Sequence, residues 1–531
     1  MKEYKYEDYI KTILISMGGM IVLYFYMLCN FWWGNHDWGY LLSGASIESG
    51  LFEARYSQHL FTILVLDGHI LPVLFFLMGF LCISGIGICV GKYLEIDSKY
   101  WWVIALFIGA NPHIFALFYY VYLIFPFFVW SLVGVLGLLW LEGKVRWYKI
   151  VGGVLLYAFV LGSYPPNLAF IFVLFVVKRL FMYEDGKEDF KSLVIRFALL
   201  GGVFVGAGLI YKCGYAYLIK NNMVNLDMYN IQTKSLSDII KNIPYEIKMS
   251  VLQLFTFFSF MKIKYVLLLS LLVGVGVFVV FKDARNSLIT LCLVVALFVS
   301  SRFAFLLSSN SQFAVFRLMY WGRMALYIAF WAVLMRKKDI WVKNFLFFMV
   351  VSVLSLFVVR NFEVQKVQNM GFVAGRLFQK RLLDTLIFNK DFNEKGDYIS
   401  LSFGQPNFRE KFYKDDINTG EMLGLNMVFE FDVVNFLFWE EEKSPVIIGA
   451  GISGPGILRV DRDAGEKWKN ASYWLNNPSN MENIKFWLYT KAKPYPSYDS
   501  VYVDDKYLLL VLDRLTFDKN KELVARKLDS Y

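Results

Sequence analysis

Residues 70–92 read ILPVLFFLMGFLCISGIGICVGK, and the first charged side chain in the run is Lys92. A stretch of about 20 apolar residues is what a helix needs to cross the hydrocarbon core of a bilayer. Similar runs recur in both directions, from Thr12 to Val359. Apolar stretches closed by charge predict eleven spans, at 12–33, 70–92, 100–116, 121–141, 148–163, 167–183, 193–211, 264–281, 286–307, 318–335 and 341–359. Of the 531 residues, 57% are hydrophobic and 18% charged, whereas soluble domains carry about 25% charged residues. The composition argues against a soluble enzyme and for an α-helical polytopic membrane protein.

Charge divides the chain in two. Residues 1–360 hold 31 Lys and Arg against 19 Asp and Glu, while residues 361–531 hold 23 against 25. With the N-terminus inside, nineteen of the 31 basic residues fall in cytoplasmic segments, from Lys2 to Lys343, as the positive-inside rule requires. The short external loops keep Arg55, Arg302, Arg317 and Arg323, and seven lysines fall in a long external loop, 212–264. An odd number of spans puts residues 361–531 outside. There, Ser444-Pro-Val-Ile-Ile448 and Tyr507-Leu-Leu-Leu-Val-Leu512 read as strands of a small mixed α/β domain. The expected domains are 1–360, spanning the membrane, and 361–531, extracytoplasmic.

The run after Lys11 lacks a small-residue cleavage site and reads as an anchor. Cys29, Cys82, Cys89, Cys213 and Cys292 lie in or beside apolar segments and imply no disulfide framework. The basic surplus belongs to membrane loops, and no basic cluster coincides with a nucleic-acid reading motif. Gly449-Ala-Gly451-Ile-Ser-Gly454 matches the dinucleotide fingerprint. Pro455 and Gly456 start the required helix poorly and no acid follows at the needed distance, so a Gly-rich turn is the better reading. His36, His59, His69 and His113 show no ligand spacing and read as interfacial polar residues, with no metal and no cofactor expected.

The informative segment is the first external one, Asn35-His36-Asp37-Trp38-Gly39-Tyr40 followed by Ser46-Ile-Glu48 and Glu53-Ala-Arg55-Tyr56-Ser-Gln58-His59. An acid directly after a span sits at the membrane surface, where ionisable groups are costly and mark function. A carboxylate, an arginine and several Trp and Tyr at one bilayer surface suit glycosyl transfer from a lipid-linked sugar. Asp37 can take a proton from an acceptor hydroxyl as general base, with Glu53 and Glu48 in reserve. Arg55 can hold a phosphate bidentately, and His36, Trp38 and Tyr56 can contact sugar or acceptor.

These positions resemble the Gtr-type serotype-converting O-antigen glucosyltransferases, within the GT-C class of polytopic glycosyltransferases. His36-Asp37 resembles that family's acidic pair, Glu53-Ala54-Arg55-Tyr56 its Gly-Arg element, and Asp67-Gly68-His69 the residues before its second span. Ser163-Tyr164-Pro165 resembles its Tyr-containing turn and Phe316-Arg317 its later external arginine. The chain departs from the family where the acidic pair keeps one acid, where Ala54 replaces Gly, and where apolar residues follow Asn111-Pro112-His113. The resemblance implies a GT-C-like fold in a bacterial plasma membrane, a glucosyl donor on undecaprenyl phosphate, an acceptor glycan outside the membrane, and partners that make and flip the donor.

Two residues read in two ways. Arg317 is either a second phosphate contact or a membrane-end arginine reaching for water, and Tyr164 either caps a hairpin with Pro165 and Pro166 or contacts sugar. Arg302 and Arg323 read as membrane-end arginines. The alternative function is a transporter or flippase for polysaccharide or lipid-linked sugar, although related halves and midplane charges, the marks of that class, are not evident.

Overall fold

The computed structural model describes residues 4–29, 44–46, 55–111, 121–221, 236–255, 284–307 and 316–335, parts of 271–282 and 344–366, short helical pieces within 384–389 and 479–491, and five strands between 399 and 511. Asp37, Glu48, Glu53, His36 and Trp38 lie outside the described residues. The chain divides into two compact units, Met1–Gln365 and Lys366–Tyr531.

The first unit is helical. Its helices are α1 (Tyr6–Cys29), α2 (Leu60–Leu66), α3 (Pro72–Tyr93), α4 (Trp101–Gly109), α5 (Val121–Leu141), α6 (Trp147–Ser163), α7 (Asn167–Glu184), α8 (Phe190–Lys220), α9 (Leu236–Phe255), α10 (Ser287–Ser301), α11 (Phe303–Leu307) and α12 (Phe316–Met335). Among the described residues, α1, α3, α5 and residues 190–218 of α8 are long and apolar enough to cross a membrane. Large apolar side chains remain exposed on their flanks, including Val22, Leu81, Val205 and Leu209. An exterior of this kind is costly in water and unremarkable in lipid. Pro72 opens α3 at a position that needs no backbone donor, and Pro126 lies inside α5, as membrane helices tolerate.

α3 packs on α1, α4 and α5, α6 on α5 and α8, and α7 on α10 and α12. Because successive helices reverse direction, the loops after α3, α5 and α7 meet at one end of the bundle. Arg179 of α7, completely buried, is bracketed there by the carboxylates of Glu142 and Glu188. Lys178 lies 2.6 Å from Glu95, and Lys187 reaches both Glu95 at 3.4 Å and Asp185 at 3.1 Å. Burial pushes the Glu95 carboxyl up, but Lys178 and Lys187 outweigh it and hold the group below its ordinary value. The opposite end carries the 55–59 turn, Asn111 and the turn at 164–166.

Three expectations are corrected within this unit. Residues 212–264 are not simply a loop: α8 runs on to Lys220, and α9 occupies 236–255. Charges at Asp238, Lys241, Glu246 and Lys248 break any apolar run, yet Leu236, Ile239, Ile240, Ile243 and Ile247 recur at helical spacing. The expected span 286–307 is interrupted at Arg302, which separates α10 from α11. Arg302 and Arg323, expected to reach for water, are only 4% and 6% exposed. Glu246, fully buried on α9, accepts a hydrogen bond from Arg302 Nε at 2.5 Å. A buried carboxylate removes the drive of a guanidinium toward solvent.

The second unit contains β1 (Ile399–Phe403), β2 (Ile448–Ser453), β3 (Ile457–Val460), β4 (Val501–Asp504) and β5 (Tyr507–Val511) in one sheet of order β3-β2-β1-β5-β4. β1 is central and parallel to both neighbours, while β3 and β4 add antiparallel edges. Residues 449–453 of the Gly-rich segment are therefore strand rather than turn. Gly449 and Gly451 pair with Ser400 and Ser402 of β1, so their backbones make ladder contacts. Of the strand expected at 444–448, residues 444–447 lie outside the described residues and Ile448 begins β2, while the strand expected from Tyr507 is present as β5.

Candidate functional site

Arg55 opens a tight turn, through His59, whose backbone is locked onto the last turns of α6 and the middle of α5. Ser57 donates from its backbone nitrogen to the Gly162 carbonyl at 3.1 Å and from its hydroxyl to the Phe159 carbonyl at 2.5 Å. Its own carbonyl accepts from Trp130 Nε1 at 2.8 Å. The end of a helix leaves carbonyls without intrahelical donors, and at Gly162 this turn supplies one. Tyr56 adds a hydrogen bond from its hydroxyl to the Ala158 carbonyl at 2.6 Å, and its ring faces that of Tyr211 at 6.1 Å. Burial pushes the Tyr56 hydroxyl up to about 12, with Tyr211 adding to the shift, so it stays a neutral donor. Gly162 makes this approach feasible, since a Cβ there would run into the Tyr56 ring.

The turn presents Arg55. Its guanidinium carbon lies 5.2 Å from the centre of the Tyr164 ring, and Nη1 donates to Gln58 Oε1 at 3.2 Å. The Gln58 amide nitrogen in turn lies 3.0 Å from His59 Nε2, and the His59 ring packs 5.9 Å from Tyr122. Gln58 and His59 are buried. His59 is therefore a packed interior residue rather than an interfacial one. Gln58 was not singled out by sequence; its only local signal is its position three residues after Arg55.

Tyr164 is buried, and its backbone takes the hairpin-closing role read from the sequence for this turn. Its backbone nitrogen donates to Val160 and its carbonyl accepts from Asn167, which closes the link between α6 and α7. Its ring packs edge-on to Phe127 at 5.2 Å. Phe127 stacks on Trp321 of α12 at 5.4 Å, and Phe170 of α7 meets Trp321 at 4.5 Å. A continuous aromatic layer thus runs from Arg55 into the bundle. Arg317 falls in the first turn of α12. Of the residues singled out by sequence, Arg55, Tyr56 and Tyr164 are brought into this one arrangement.

A second polar group lies among α9, α10 and α12. Beside the Arg302–Glu246 pair, the hydroxyls of Ser250 and Ser301 are 2.7 Å apart, and Arg302 lies over the Phe305 ring at 4.2 Å. Gly322 allows α12 to approach, because a Cβ would strike the Ser301 carbonyl. No group of three or more His, Cys, Asp or Glu side chains suited to a metal ion occurs among the described residues.

Comparison with protein-family models, with curated proteins and with solved structures finds no match.

Proposed function

We propose that the chain is a glycosyltransferase that moves a sugar, glucose in the first instance, from a polyprenyl-phosphate carrier to a glycan outside a bacterial plasma membrane, such as O-antigen or another surface polysaccharide. The reading includes a GT-C-like arrangement of eleven spans, a cytoplasmic N-terminus and an extracytoplasmic C-terminal α/β domain. The observation that supports it best is the seating of Arg55 on Tyr164 and Gln58, in the same short segment as Glu53 and downstream of Asp37. This turn lies at the end of the bundle opposite the ion-paired loops. That end then faces outward.

In this reaction Asp37 takes the proton of an acceptor hydroxyl as its oxygen bonds to the anomeric carbon. The bond from that carbon to the phosphate oxygen breaks, and the electron pair leaves with polyprenyl phosphate. Arg55 offsets the negative charge developing on the leaving group. Tyr164 and Gln58 hold the guanidinium in one orientation before substrate arrives, and pre-organisation of this kind is where electrostatic catalysis gains most. Trp38, His36 and Tyr56 contact sugar or acceptor, Arg317 gives a second phosphate contact, and Glu53 and Glu48 are reserve carboxylates. A donor synthase and a flippase supply the carrier from the cytoplasmic side.

Mass spectrometry of surface glycans, from cells with the gene, without it, or carrying Asp37→Asn, tests the reading. A sugar present only with the wild-type gene supports it. An unchanged glycan profile in all three, with the protein in the membrane, rejects it.

The Arg302–Glu246 pair favours one other reading. Charges buried between helices mark ion or substrate paths in transporters, and a flippase would use such a pair. Movement of a fluorescent lipid-linked sugar across vesicles, unaffected by an acceptor glycan, would select that function.

A further inference from the structure

The link between α6 and α7, Ser163-Tyr164-Pro165-Pro166-Asn167, holds a polar group that folding leaves unsatisfied. Asn167 is 1% exposed, and neither Nδ2 nor Oδ1 has a hydrogen-bond partner among the described residues. Ser163 is also 1% exposed, and its hydroxyl likewise has no partner among them. Buried polar atoms are paired in almost all native structures, and each unpaired one costs folding free energy. Two such side chains four residues apart, flanking the platform under Arg55, are not explained by packing.

The contacts of α7 fix where Asn167 faces. Three and four residues on, Phe170 meets Trp321 of α12, and Ile171 fills the space beside Gly134 of α5. Residues at this spacing share one helix face, so Asn167 is directed to the interior seam between α5 and α12. Its backbone is bonded to Tyr164, the outer member of the aromatic layer that continues through Phe127 to Trp321.

The missing partner is not an anion held by the start of α7. The first backbone donors there are already used: Asn167 donates to Tyr164 at 3.0 Å, Leu168 to Pro165 at 3.1 Å and Ala169 to Pro166 at 3.1 Å. What remains is a primary amide, with two donors and one acceptor, and a hydroxyl that does both. The complement is a neutral ligand that both donates and accepts at neighbouring atoms and has an apolar face for the aromatic rings. Adjacent hydroxyls of a sugar ring have this chemistry.

We infer that Asn167 and Ser163 bind the sugar hydroxyls of the donor, next to the phosphate held by Arg55. The inference rests on the glycosyl-transfer reading above and adds residues that recognise the sugar rather than its carrier. Asn167 is in effect kept polar for a ligand, so its loss stabilises the empty protein while weakening sugar recognition. A purely structural asparagine would do the opposite.

The test uses the full-length protein in a polyoxyethylene detergent, which has no sugar head group, with farnesyl-phosphate glucose and farnesyl phosphate as probes. Both probes raise the melting temperature of the wild type, and the glucosylated one raises it further. Asn167→Leu, close in volume, has a higher melting temperature without ligand, keeps the shift given by farnesyl phosphate, and binds the glucosylated probe about tenfold more weakly. Ser163→Ala removes a single atom and shows the same pattern at smaller size, which decides the matter if Asn167→Leu does not fold. A glucose-dependent increment that survives both substitutions overturns the inference alone. Absence of that increment in the wild type overturns the glycosyl-transfer reading together with it.

Discussion

The guanidinium of Arg55 lies over the ring of Tyr164, 5.2 Å from its centre, and Gln58 fixes its edge at 3.2 Å. A cation held on an aromatic face gains about 0.5–2 kcal/mol, depending on how far it is desolvated. The pair links a residue in the first inter-helix segment to one more than a hundred positions later.

If Tyr164 positions Arg55, the aromatic face matters and the hydroxyl does not. Tyr164→Phe retains wild-type transfer, whereas Tyr164→Leu lowers kcat/KM by about 2–30-fold, the kinetic equivalent of that energy. Initial rates at subsaturating donor measure this.

Arg55 itself is probed by charge and shape. Arg55→Lys keeps the charge but loses the planar fork, so it is slower than wild type and faster than Arg55→Ala. Full activity in the lysine variant would remove Arg55 from the phosphate site.

Gly162→Ala places a methyl group in the Tyr56 ring. Overpacking of this kind costs about 1–3 kcal/mol. Thermal unfolding in detergent shows a lower melting temperature, and Tyr56→Ala in the same chain recovers part of the loss specific to the clash.

The Arg302–Glu246 pair is a double-mutant cycle in waiting. Removing one partner leaves the other charge buried, at a cost of about 3–5 kcal/mol, while Arg302→Met with Glu246→Leu costs much less than the two singles together. Equal and additive losses would mean that the charges are not coupled.

Much of this architecture was legible in the sequence because bilayer-length apolar runs are a strong signal, and the runs at 70–92 and 121–141 are helices α3 and α5 nearly residue for residue. α9 was not legible, because its charges interrupt the run and its face is amphipathic. The interruption at Arg302 could not be foreseen either, since it depends on Glu246, more than fifty residues away. At the site, Arg55, Tyr56 and Tyr164 stood out through residue type and motif. Gln58, Ser163 and Asn167 did not, because their importance lies in burial and in which partners they have. Glycines mislead in a related way: the run from Gly449 has the composition of a turn, but ladder pairing with β1 makes residues 449–453 part of a strand.

The ion-paired end of the bundle has a pH signature. Glu95 sits below its ordinary value of 4.5, so its pairing with Lys178 and Lys187 stabilises the fold above that pH. The contribution is lost as pH falls through the depressed folded value. Glu95 is half exposed, so the effect is modest. Melting temperature measured from pH 7 down to about pH 3 falls less steeply in Glu95→Gln than in wild type; identical slopes would show that the pair contributes nothing.

The most direct test of glycosyl transfer is made with purified protein, polyprenyl-phosphate glucose carrying a radioactive sugar, and a surface glycan as acceptor. Wild type moves label from the lipid to the glycan, with EDTA present and without it, while Asp37→Asn is slower by on the order of 10²–10⁴ and a nucleotide sugar gives no product. Label that stays on the lipid with folded wild-type protein, or that moves only from a nucleotide sugar, contradicts the account.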